Sequence, residues 1–68
     1  MINTLKLKAA IVEAGLTQQV LAQKLNMSPN TLSSKIIGKS NFDIVEATQI
    51  CSILGIDDDS RKADIFLQ

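Results

Sequence analysis

The residues of this chain best suited to chemistry are polar, neutral and few. Asn30, Ser33 and Ser34 recur at helical spacing, with Ile37 next in the series, so a helix over 29–37 carries them on one face. Their chemistry is hydrogen bonding: an Asn amide pairs bidentately with adenine, whereas a Ser hydroxyl reads several bases poorly. Covalent chemistry is not on offer. The sequence has no His, so its single Cys51 lacks a base to activate it and partners to ligate a metal. Cys51 alternates with core positions of a helix, where a free Cys behaves as a small hydrophobe. Asp57, Asp58 and Asp59 lack the alternating ligands and glycine of a calcium loop and read as a solvated helix start. No glycine loop cradles phosphate and no acid–base constellation is present. The expectation is a binding protein rather than an enzyme, with no cofactor and no metal.

The elements that position this face are two short helices meeting at Asn26-Met27-Ser28. The first buries Leu21 and Leu25 with Ala22 beside them; the second buries Leu32 and Ile36. Ala22 ends at Cβ, so a second helix can cross close over it. Asn26 stands where the first helix must stop in a left-handed residue, the role in which Asn most often replaces Gly. Ser28 caps the next helix and Pro29 fills its first position, where no backbone N–H is required. These signals predict a helix-turn-helix over Thr17–Gly38.

Residues 1–68 are expected to form one all-α domain, small but sufficient for a helical core. Asn3 or Thr4 caps a first helix running to about Ala14, with Leu5, Ala9 and Val12 on its buried face and Ala10 and Ile11 widening it. Gly15 ends it, Leu16 enters the core, and Thr17 caps the second helix. Helix three ends at Gly38, and Lys39-Ser40-Asn41 is a polar loop. Phe42 tucks under the domain. Asp43 and Glu46 have capping-box spacing for a fourth helix that buries Ile44, Ala47, Ile50 or Cys51, and Leu54 before Gly55. Ile56 anchors the next turn. A short last helix opens at Asp57–Ser60; its Ala63, Phe66 and Leu67 form a docking stripe, and Ile65 faces outward. The segment Ser60–Gln68 is thereby expected to support self-association or a partner interface.

The net charge is zero, but its distribution is uneven. Residues 1–39 carry five lysines against one glutamate, and residues 40–68 carry two basic against six acidic groups. That asymmetry suggests a basic face toward nucleic acid and an acidic face turned away. A lone Cys suits a reducing cytoplasm. No apolar run approaches the roughly 18 residues of a membrane span, and the N-terminus lacks a signal-peptide pattern.

The run T-Q-Q-V-L-A-Q-K-L-N-M-S-P-N-T-L-S-S-K-I-I-G-K, followed by the helix Ile44–Leu54 closing in I-L-G-I, resembles the lambda-repressor-like helix-turn-helix family of repressors, Cro-type proteins and small bacterial regulators. The resemblance spans about Leu5 to Ile56. It implies a compact five-helix domain whose third helix enters the major groove. Gln18, with Gln19 beside it, falls where the family usually grips a phosphate and braces the recognition helix. Pro29 and Asn30 match positions that often read bases, flanked by Ser28 and Thr31. Ser33, Ser34 and Lys35 continue along the helix, and Lys39 and Ser40 match the loop that usually contacts the backbone. The chain departs from the pattern in having no Arg on this face, Ile37 where a polar residue is usual, and Lys35 in a usually apolar place.

What the resemblance implies for function is a Cro-like or repressor-like regulator, acting as a homodimer on double-stranded operator DNA. The other class it admits is an antirepressor that binds a phage repressor protein through the same fold. The ending K-A-D-I-F-L looks like the tail of small phage-borne regulators.

Overall fold

The computed structural model describes residues 2–67; Met1 and Gln68, at the ends of the expected 1–68 domain, lie outside them. The described residues form five helices and no strand: α1 (Thr4–Glu13), α2 (Gln18–Lys24), α3 (Pro29–Ile36), α4 (Ile44–Leu54) and α5 (Asp59–Phe66). Each start is fixed by a side chain that accepts an otherwise orphaned backbone N–H. Asn3 accepts from Lys6, Thr17 from Val20, Ser28 from Thr31, Asp43 from Glu46 and Asp58 from Ser60. At α4 the box is reciprocal, because the Glu46 carboxylate accepts from the Asp43 N–H at 3.0 Å.

The first four helices also end alike. The N–H groups of Gly15, Asn26, Gly38 and Gly55 reach back to Val12, Gln23, Lys35 and Ser52. The next N–H groups, of Leu16, Met27, Lys39 and Ile56, bond to the carbonyls of Ile11, Ala22, Ser34 and Cys51. This double closure requires a left-handed residue at its centre. Asn26 supplies one with φ +56°, as the sequence predicts, and is the non-glycine residue with positive φ among those described. Leu16, Met27 and Ile56 then pack into or against the core. Lys39, in the corresponding place after α3, stays exposed.

The core is Leu7, Ala10 and Ile11 of α1, Leu21 and Ala22 of α2, Leu32 and Ile36 of α3, Ile50 and Cys51 of α4, with Ile56 and Ile65. α2 and α3 cross closely over Ala22, which is fully buried. Two bonds clamp α1 to the rest of the fold. The Thr4 hydroxyl donates to the Ile36 carbonyl at 2.6 Å, and the Asn3 N–H donates to the Ile65 carbonyl at 2.7 Å. The Phe42 and Phe66 rings meet edge to face with centroids 5.9 Å apart.

Four expectations are corrected. α1 buries Leu7, Ala10 and Ile11, while Leu5 and Val12 are 80% and 74% exposed and Ala9 is exposed too. α1 is apolar nearly all round, and the clamps at Asn3 and Thr4 choose which side turns inward. Ile44 is exposed, because it opens α4 beyond the reach of the core, whereas Ile50 and Cys51 are both buried and Leu54 is half-buried. Ile65 is 1% exposed and Leu67 is 79% exposed, the reverse of the expected arrangement. Ile65 lies beside the Asn3 clamp, and Leu67 falls past the end of α5. Helices α1 and α3 end one residue earlier than expected, at Glu13 and Ile36.

Two stability tests follow from this geometry. Asn26→Gly is expected to leave stability unchanged or slightly raised, and Asn26→Val to cost about 1–2 kcal/mol, because a β-branched residue resists the left-handed region. A thermal melt of Asn26→Val matching the parent rejects the turn geometry. Ile65→Ala should cost about 2–5 kcal/mol through the cavity it leaves, and Leu67→Ala about 0.5 kcal/mol or less. Urea titration of the pair distinguishes this packing from the opposite one.

Candidate nucleic-acid interface

α3 turns Leu32 and Ile36 into the core and leaves its other side open. Pro29, Asn30 and Thr31 are exposed at its first turn, Ser33 and Ser34 are half-buried, and Ile37 is exposed just past its end. The Ser28 hydroxyl accepts from the Thr31 N–H at 3.1 Å and donates to the Thr31 hydroxyl at 2.9 Å. Ser28 therefore spends its one proton within the cap. Thr31 accepts that bond and keeps its own O–H free to donate outward, as a phosphate oxygen requires. Pro29 has no N–H to give, so the group of this turn able to make a bidentate hydrogen bond is the Asn30 amide.

The loop after α3 is folded against it. Lys39 and Ser40 both direct their N–H groups to the Ser34 carbonyl, at 2.9 and 3.3 Å. Gly38, with φ +89°, makes that reversal possible. The result brings the backbones of two exposed residues, Lys39 and Ser40, to the Ser34 carbonyl. On α2, Gln18 is half-buried and Gln19 exposed in the first turn, next to the Thr17 cap.

Lys35 does not join this group. Its ammonium donates to Glu46 Oε1 at 2.7 Å and lies 5.9 Å from the centre of the Phe42 ring. Both partners of the ion pair are half-buried, and the bond ties α3 to α4. The acid on the next helix thus holds the Lys35 amine rather than leaving it to water. Glu46 thus serves twice, as cap partner of α4 and as anchor of α3. The Lys35 ammonium and the Asp43 N–H together hold its carboxyl below the usual range. On Cys51, burial pushes the thiol up, which suits an inert core residue.

The charge asymmetry is partly folded away. Lys6 pairs with Asp64, Lys35 with Glu46, and Arg61 with Glu13, each joining the basic to the acidic part of the chain. Lys8, Lys24 and Lys39 make no ion pair among the described residues. Periodicity gave no sign of these cross-links or of the Thr4 bond to Ile36. The capping-box spacing did mark Glu46, but for only one of its two roles.

A short capped helix, a closure on a left-handed Asn, and a second capped helix crossing over a buried Ala make a helix-turn-helix. The family model described as helix-turn-helix, of the lambda-repressor and Cro type, matches residues 7–60. The chain belongs to the helix-turn-helix family. The family is one of DNA-binding regulators rather than typically of enzymes. No curated protein and no solved structure matches this helix-turn-helix chain. No helix among its described residues is long and apolar enough to cross a membrane.

The Lys35–Glu46 pair makes a pH prediction. Glu46 has a depressed pKa in the folded chain, so its contribution is full above the ordinary carboxylate pKa of roughly 4.3 and is lost as pH falls through the lower folded value. Glu46→Gln is therefore expected to lower the melting temperature at pH 7. The gap to the parent should narrow as pH drops below about 4. Melts that stay equally far apart from pH 7 to pH 2 count against the pairing.

Proposed function

We propose that this chain is a sequence-specific transcriptional regulator, Cro-like or repressor-like, that lays α3 in the major groove of operator DNA. The observation that carries the reading is the outward side of α3. The Asn30 amide, Thr31 hydroxyl and Ser33–Ser34 side are presented on a helix whose opposite side is locked into the core. Asn30 is the base reader in this reading. Gln18, Gln19, Thr31, Lys39 and Ser40 position the module on the phosphates, with Pro29 in van der Waals contact and Ser28 kept in the cap of α3. Lys35 is assigned to holding α3 rather than to DNA. Without an Arg on this face, recognition rests on few polar contacts. One recognition helix covers one half-site, so the operator reader acts as a homodimer on a palindromic site, in the cytoplasm with its DNA.

A second reading has one observation behind it. Leu5, Ala9 and Val12 form an exposed apolar stripe along the outside of α1. Such a stripe suits a protein partner, as an antirepressor acting on a phage repressor protein would need.

The two readings separate in a binding experiment. Sites selected from random duplexes are titrated by fluorescence anisotropy over a range of salt. Asn30→Ala is expected to cost about 1–3 kcal/mol on the selected site and to relax preference at one base position. Lys39→Ala should weaken all sequences alike and reduce the salt slope by about one. Folded variants that leave both affinity and slope unchanged move the weight to the protein partner.

A further inference from the structure

The outward side of α3 holds few groups that can tell one base from another. The chain's one Arg, Arg61, lies on α5 and pairs with Glu13 at 3.1 Å. Lys35 is held by Glu46, and Ser28 by its own cap. Ser33 and Ser34 are half-buried, and a single hydroxyl reads several bases alike. Asn30 differs from all of these. It is exposed, and its amide offers a donor and an acceptor side by side. That amide takes no part in the side-chain hydrogen bonds among the described residues. The Asn30 backbone is also held: it follows Pro29, whose φ is fixed, in a turn closed by the Ser28 cap on Thr31.

We infer that DNA binding by this chain is switched by N6-methylation of the adenine that Asn30 reads: the unmethylated base is bound and the methylated base is refused. The inference rests on the operator reading above and adds its regulation. In the major groove adenine presents N7 as acceptor and the N6 amino group as donor, and an Asn amide matches both. Of the two N6 hydrogens, one is engaged with thymine inside the base pair. A methyl group that leaves the pair intact therefore takes the place of the other, beside N7. The Asn30 Oδ1 atom then loses its donor and faces a methyl, and the same bulk keeps the Nδ2 donor from N7.

Two features of the chain leave no detour. The Asn side chain is short and departs from a fixed turn, so it does not reach past the methyl. No Arg on this face supplies a guanine contact to compensate. A reader with several strong base contacts loses a fraction of its specificity to one methyl group; here the methyl removes the chief part. The phosphate contacts proposed for Gln18, Gln19 and Lys39 are untouched, so salt-dependent binding without sequence preference persists on methylated DNA.

The test uses the duplex selected from random sequence, remade with N6-methyladenine at one adenine at a time and titrated against the full chain by fluorescence anisotropy. At one adenine in each half-site the methyl should weaken the parent about tenfold to a hundredfold. The salt slope should stay the same. 7-Deazaadenine at that position, which lacks the N7 acceptor, should weaken binding too. Asn30→Ala, with the parent's circular dichroism, should bind the methylated and unmethylated duplexes alike. A parent that ignores the methyl at every adenine of its selected site overturns the inference and leaves the operator reading standing. So does an Asn30→Ala that keeps the parent's full loss, because the methyl then acts through the duplex and not through the amide. A parent that prefers no duplex at any salt concentration overturns both.

Discussion

An eight-residue helix has too few internal bonds to persist alone in water, and α3 is that short. Its order is imposed from outside, at every turn. Ser28 caps its start, Leu32 and Ile36 anchor its middle, and Lys35 ties it to Glu46 on α4. At its end the Thr4 hydroxyl takes up the Ile36 carbonyl, and the following loop satisfies the Ser34 carbonyl. These restraints come from α1, α4 and the flanking loops, so most of the chain contributes to holding one helix still. A helix held this firmly loses little conformational freedom on docking, which favours the proposed role, where polar contacts are few.

The parts of this scheme that were legible in the sequence are those written in neighbouring residues. Caps at Thr17, Ser28 and Asp43, and the left-handed turn at Asn26, depend on chemistry within four positions, and all appear where expected. The outward side of α3 followed from spacing in the same way. What could not be read depends on distant partners. Leu5-Lys6-Leu7-Lys8-Ala9-Ala10-Ile11-Val12 offers an apolar side in almost any rotation, and only the clamps at Asn3 and Thr4 decide that Leu7 goes inward. Ile65 and Leu67 are two apolar residues near the end of a short helix, and which of them is buried depends on how α5 packs against α1. Lys35 and Glu46 lie eleven positions apart on different helices, where no periodicity connects them.

The same distinction explains how the charge behaves. Counted along the sequence, the first part of the chain is strongly basic. In three dimensions Lys6 and Lys35 are matched by acids from the second part. These pairs fasten helices together, Lys6 with Asp64 across α1 and α5 and Lys35 with Glu46 across α3 and α4. Positive charge that reads as attraction for DNA is in part the means by which the reader is assembled.

The matched helix endings have a consequence for how this protein can change. After α1, α2 and α4 the residue that completes the closure is Leu16, Met27 or Ile56, each committed to the interior. After α3 it is Lys39, which stays exposed and whose hydrogen bond among the described residues is made by its backbone N–H. Any side chain can make that backbone bond. With Asn30 similarly exposed, the surface proposed to meet DNA includes positions on which the fold makes few demands. New binding preferences are therefore open to this scaffold by single substitutions that leave its stability nearly untouched.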